Sequence, residues 1–212
     1  QESKASPSRA ALRRWRYAPV LVAALTLAAA QPFTAGLLYA AGAFDVLFSL
    51  LIVAVLLSVV EEREHRRIAL SLGLAAFLGI WLGHGIGGSV GAVLVVGSQV
   101  LAVGFFGFAL CGILRSIFTG EVSSDAVLGA VCGYLLLGII WTVLYSAVET
   151  ASPGAFRTPA SQATEAPRAD VAVLNYYSFI TLATVGYGDV TPVSPTARTL
   201  AWLEAVVGQF YL

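Results

Sequence analysis

The run over residues 90–118 carries one charged side chain, Arg115, close to its end. A segment of that length and polarity belongs in a lipid bilayer or in the middle of a large core, and about 20 apolar residues cross a hydrocarbon layer of ~30 Å. Composition decides between the two. Hydrophobic residues make up 58% of the 212 and charged residues 11%, too few charges to coat a soluble particle. Comparable runs occupy 18–30, 36–60, 68–82 and 126–148, and another begins at Ala197. The expected fold class is therefore an all-α membrane protein with six transmembrane helices. Pro32 breaks the first run from the second. That first run also has the build of a secretory signal peptide, with a basic start and Ala28-Ala29-Ala30 at its end. The apolar pattern resumes at Phe33, which favours a retained helix.

The polar segments give the chain a direction. Residues 1–16, with Lys4, Arg9, Arg13, Arg14 and Arg16, read as a basic cytoplasmic tail. Residues 61–67 form a charged loop, and 83–88 a glycine-rich one that holds His84. Residues 149–170 are rich in Ala, Pro, Ser and Thr, including Pro153, Pro159 and Pro167, and read as an exposed loop. Helix parity then puts the loops at 61–67 and 114–125 on the side of the basic tail. Only Arg157, Arg168 and Arg198 of the twelve Lys and Arg fall on the other side. This asymmetry follows the positive-inside rule and places 149–195 outside. A formal net charge of zero gives no sign of nucleic acid, and membrane lipid is the expected contact. The two histidines stand in separate loops, so no constellation for a membrane enzyme is present and no organic cofactor is expected. Cys111 and Cys132 sit inside apolar runs and read as small hydrophobes, with a disulfide between helices as the less favoured alternative. Both ends of the sequence read as cuts.

Residues 171–183 are apolar but too short to span. They lead into Thr184-Val185-Gly186-Tyr187-Gly188-Asp189. Glycines at 186 and 188 accept positive φ without steric cost, so the backbone between them can aim successive carbonyl oxygens the same way. Several such loops in a ring would form cages for a bare cation. Non-helical backbone at membrane depth persists only when it is buried in protein or lines water.

The 184–188 string resembles the selectivity filter of the tetrameric potassium channels. Over 171–212 the order of short helix, filter, acidic residue and inner helix resembles their pore region, and the whole chain resembles the six-helix branch of that family. The resemblance implies a re-entrant pore helix at 171–183 and a filter at 184–188 between helices 5 and 6. It divides the chain into a voltage-sensor-like scaffold at 17–120 and a pore domain at 121–212, with an inner helix from 197. One filter loop per chain implies a four-fold homotetramer.

Site residues follow from the same resemblance. The carbonyls of Thr184, Val185, Gly186 and Tyr187, with the Thr184 hydroxyl, would hold K⁺, and Gly188 would close the loop. The Tyr187 ring would turn away from the axis and pack on the pore helix. Tyr176 and Tyr177 would stand behind the filter, where either hydroxyl could hold Asp189. Some relatives carry a pore-helix glutamate where this chain has Ile180, so a carboxyl pair at Asp189 is not expected. The helix end near Leu182 and Ala183 would aim its partial negative charge at a central cavity. Gly208 reads either as a gating hinge or as a packing residue. Relatives place regulatory domains after the point where this sequence ends at Leu212.

The expected function is passive, potassium-selective conduction across a plasma or inner membrane, with a cytoplasmic N-terminus and an extracellular filter mouth. The alternatives are a less selective cation channel and the membrane subunit of a potassium transporter. A voltage sensor needs several charges, since each is worth only ~2.3 kcal/mol per 100 mV. Arg115 is alone in the fourth helix, so voltage dependence is expected to be weak or absent. Three polar residues stay open. Asp45 is either an intramembrane carboxylate or an interfacial residue, Gln99 an interhelical hydrogen bond or a transport site, and Glu204 faces either neighbouring helices or the permeation path.

Overall fold

A computed structural model of the chain describes residues 17–29, 43–59, 63–119, 124–158 and 169–211. The basic tail at 1–16, the break at Pro32, the start of the second run, Glu61 and Glu62, loop residues 159–168 and Leu212 lie outside them. The elements are α1 (Ala18–Ala29), α2 (Ala43–Val59), α3 (Arg63–Ile86), α4 (Gly88–Thr119) and α5 (Ser124–Ala151). There follow β1 (Phe156–Arg157), α6 (Val171–Leu182), β2 (Thr191–Pro192) and α7 (Pro195–Tyr211). Among the described residues, three helical segments are long and apolar enough to cross a membrane: Arg67–Ile86, Gly88–Thr119 and Ser124–Ala151. Helices α1 and α6 are apolar but shorter.

The third helix does not stop at residue 82. It runs on through Gly83 and His84 to Ile86, so the expected loop at 83–88 shrinks to a turn at Gly87. Gly87 and Gly88 both take positive φ, 66° and 63°, which lets the chain reverse without a longer connection. The physical cause lies in the glycines beside the turn. A Cβ on Gly91 would stand 2.5 Å from the Gly83 carbonyl oxygen, and one on Gly79 would stand 2.7 Å from the Ser98 Cβ. With hydrogens at those positions α3 and α4 lie closer than side chains would allow, the contact that small residues provide between membrane helices.

Two apolar clusters form among the described residues, and α5 is the wall between them. One face of α5, with Cys132, Leu136, Ile139 and Val143, packs with α1, α2, α3 and α4 around Phe105 and Phe106. Its other face, with Leu137, Trp141 and Tyr145, packs with α6, Phe156, Val190 and Ala197. Helix α1 belongs to the first cluster, where Val20, Ala24 and Leu27 are buried. Its leading Tyr17 packs on Gly129, and the Cys132 thiol donates to the Tyr17 carbonyl at 3.5 Å. Neither cysteine is in a disulfide. The outer faces of the helices stay apolar. Val22, Leu50, Leu74, Leu78 and Val100 are exposed, and Val93 is 72% exposed, a surface that water would penalise and lipid would not.

Two polar residues find places in this frame. Gln99 on α4 donates through Nε2 to the Ser146 hydroxyl on α5 at 2.8 Å, an interhelical hydrogen bond. Helix α2 begins at Ala43, which puts Asp45 in its first turn.

Candidate functional site

Asp170 caps the start of α6: its carboxylate accepts from the Ala172 amide at 3.4 Å while its own backbone stays extended. Twelve residues later the helix ends, after about 18 Å of rise. The amides that follow turn back onto it. Thr184 N–H donates to the Thr181 carbonyl at 2.9 Å, and the amides of Val185 and Gly186 both donate to the Ile180 carbonyl, at 2.8 and 3.2 Å. These bonds occupy carbonyls that a helix end leaves unpaired, and they fix where the loop starts.

Beyond that point φ is positive at every second residue: 59° at Thr184, 51° at Gly186 and 78° at Gly188. In a regular strand successive carbonyls point to opposite sides. Alternating the sign of φ removes that opposition, which is the backbone geometry a row of parallel carbonyls requires. Glycine adopts it freely. Thr184 does not, and a β-branched residue held there stores about 1–3 kcal/mol of strain. The two glycines were legible in the sequence. The threonine was not, because nothing in its side chain announces a left-handed backbone.

The loop is exposed from Ala183 to Asp189. Tyr187 is 73% exposed, so the expected packing of its ring on α6 does not occur within one chain. The tether to Ile180 ends at Gly186.

The two tyrosines expected to share one task have separate ones. The Tyr176 phenol faces the Asp189 carboxylate. Tyr177 turns the other way and forms a triangle of edge-to-face rings with Tyr145 and Phe156, with centroids 5.2 to 5.4 Å apart. Its hydroxyl lies beside the Thr181 side chain instead. One turn of helix gives about 100° per residue, so adjacent tyrosines cannot face the same neighbour.

The loop is anchored on its far side by a carboxylate with no motif around it. Glu149, near the end of α5, is 3% exposed. It accepts from the amides of Gly154 and Ala169 at 2.8 and 3.3 Å through Oε1 and from Phe156 at 3.2 Å through Oε2. It thus ties the end of α5 to both β1 and the approach to α6. Strand β1 pairs antiparallel with β2, Phe156 opposite Pro192 and Arg157 opposite Thr191, and the Val193 amide donates to Ala155. The segment leaving the 184–188 loop is thereby held to the segment before it.

Helix α7 starts at Pro195, two residues earlier than expected. Ser194 accepts from the Ala197 amide at 3.2 Å, and proline at the first helical position has no amide to leave unpaired. Gly208 lies inside continuous helix, and a Cβ there would stand 2.7 Å from the Leu182 carbonyl oxygen. Close approach of α7 to the end of α6 accounts for the glycine. On the same helix Glu204 turns inward to neighbouring helices and accepts hydrogen bonds from Tyr145 on α5 and Ser178 on α6.

A family model described as Ion channel matches residues 130–212, which take in most of α5, all of α6, the 184–188 loop and α7. The similarity supports an ion-channel function, and the membrane-length apolar helices agree with a place in a membrane. Neither curated proteins nor solved structures match the chain.

Proposed function

We propose that this chain is one of four identical subunits of a potassium-selective channel, with Thr184 to Gly188 as the filter. The observation that carries the reading is the alternation of positive φ at 184, 186 and 188 in a loop tethered to the end of α6. In a four-fold ring, the carbonyls of Thr184, Val185, Gly186 and Tyr187 would replace the hydration shell of K⁺. The C-terminal end of α6 would favour a cation below them. Tyr176 would steady the loop through Asp189.

The exposed surface of the single chain supports assembly. Trp202, Val206 and Phe210 recur every fourth residue on one side of α7, and Phe210 is 88% exposed. Together with Tyr187, they offer neighbouring subunits an apolar face. The distribution of Lys and Arg supports a filter mouth on the outer side. The test is a reversal potential measured on reconstituted protein in opposed K⁺ and Na⁺ gradients. Selective conduction moves it to the K⁺ equilibrium potential, and appreciable Na⁺ current defeats the selective reading.

A further inference from the structure

Glu204 is the most buried acid among the described residues, with 0% exposure in the middle of α7. Its two carboxyl oxygens are divided between two other helices. The Tyr145 hydroxyl on α5 hydrogen-bonds Oε2 at 2.5 Å, and the Ser178 hydroxyl on α6 hydrogen-bonds Oε1 at 2.5 Å. Ser178 also stands 2.8 Å from the Gly138 carbonyl on α5. The backbones are brought together to allow this. A Cβ on Gly138 would stand 2.7 Å from the Phe179 ring, and Gly208, one turn after Glu204, meets Leu182 in the same way.

A carboxyl group in such a place is costly to bury unless its oxygens are bonded, so a purely apolar contact would serve simple packing better. What the acid adds is a fixed geometry among three helices. Ser178 lies two residues before Ile180, whose carbonyl tethers the start of the 184–188 loop. The position of α7 is therefore communicated to the loop through a short, rigid piece of α6.

We infer that Glu204 is a positioning residue for the 184–188 loop, acting through Ser178 and braced by Tyr145, so that displacement of α7 alters cation binding in the loop. This deepens the proposed function and rests on it, because it takes the loop to bind K⁺.

The test uses the full chain as purified tetramer and reads melting temperature as a function of K⁺ concentration, with Na⁺ making up the ionic strength. Wild-type protein should be stabilised by K⁺ with a measurable half-saturating concentration. Glu204→Ala should raise that concentration about tenfold, Ser178→Ala should raise it similarly, and the double variant should add little to either. Glu204→Gln, which keeps the shape and can bond both hydroxyls, should restore most of the wild-type value. Ile113→Ala, in the other apolar cluster, should lower the melting temperature and leave half-saturation unchanged. If Glu204→Ala destabilises the protein like Ile113→Ala without moving half-saturation, the inference is overturned while the channel reading stands. If the effects of Glu204→Ala and Ser178→Ala simply add, the link between them is refuted. Wild-type protein indifferent to K⁺ would sink both readings. Should Glu204→Ala fail to assemble, Ser178→Ala and Tyr145→Phe read the same quantity with smaller deletions.

Discussion

At the scale of single residues, hydrogen-bonded carboxylates set the strongest expectations. Tyr176→Phe removes the phenol that faces the Asp189 carboxylate and should weaken K⁺ retention in the proposed filter by roughly tenfold. Tyr177→Phe keeps the ring triangle and Asp189's partner, so it should change retention little. Titration of K⁺ binding in the two variants separates them. Glu149→Ala leaves three backbone amides without their acceptor and should cost about 2–4 kcal/mol in a detergent-phase melt. Gln99→Leu should be much milder. It gives up a bond to Ser146, but it also removes the Gln99 Oε1, which is buried without a hydrogen-bond partner among the described residues. Removal of the unpaired acceptor partly offsets the cost of leaving the buried Ser146 hydroxyl without its donor.

At the scale of elements, close contacts between helices decide more than the helices' own propensities. Gly138→Ala places a methyl group against the Phe179 ring and should lower stability by about 1–3 kcal/mol, measured by melting, with α6 shifted away from α5. Ser194→Ala removes the cap of α7 and should cost about 1 kcal/mol. Helix α4 supplies a prediction of a different kind. Its single Arg115 is exposed, so moving the helix transfers almost no charge through the field. Current–voltage curves of reconstituted protein should show no steep activation, and Arg115→Gln should leave them unaltered.

At the scale of the whole molecule, α5 divides the chain's interior and faces both parts of it. A scaffold of α1 to α4 leans on one side and the loop-bearing helices on the other. The second part leaves the 184–188 loop exposed, and α7 presents Trp202 and Phe210 to its surroundings. Native mass measurement in detergent should return four copies. Phe210→Asp should shift the distribution to smaller species, because it places a charge on the apolar face proposed to meet a neighbour.

The sequence by itself determined the membrane setting and the existence of a special loop. Long uncharged runs such as 90–114 have few alternatives in water, and Gly186 and Gly188 mark backbone that other residues avoid. Apolar patterning also placed α6 at 171–183 and α7 from 197, while the caps at Asp170 and Ser194 that set their starts went unread. The sequence did not reveal that His84 is helical, that Thr184 takes positive φ or that Tyr176 and Tyr177 part company. It was equally silent on Glu149 and Glu204, two carboxylates that no motif surrounds. Their partners lie 5, 7 and 20 residues away for Glu149, and 26 and 59 for Glu204. Burial and hydrogen bonding at those separations depend on which helices meet, and that is settled by packing of the whole chain.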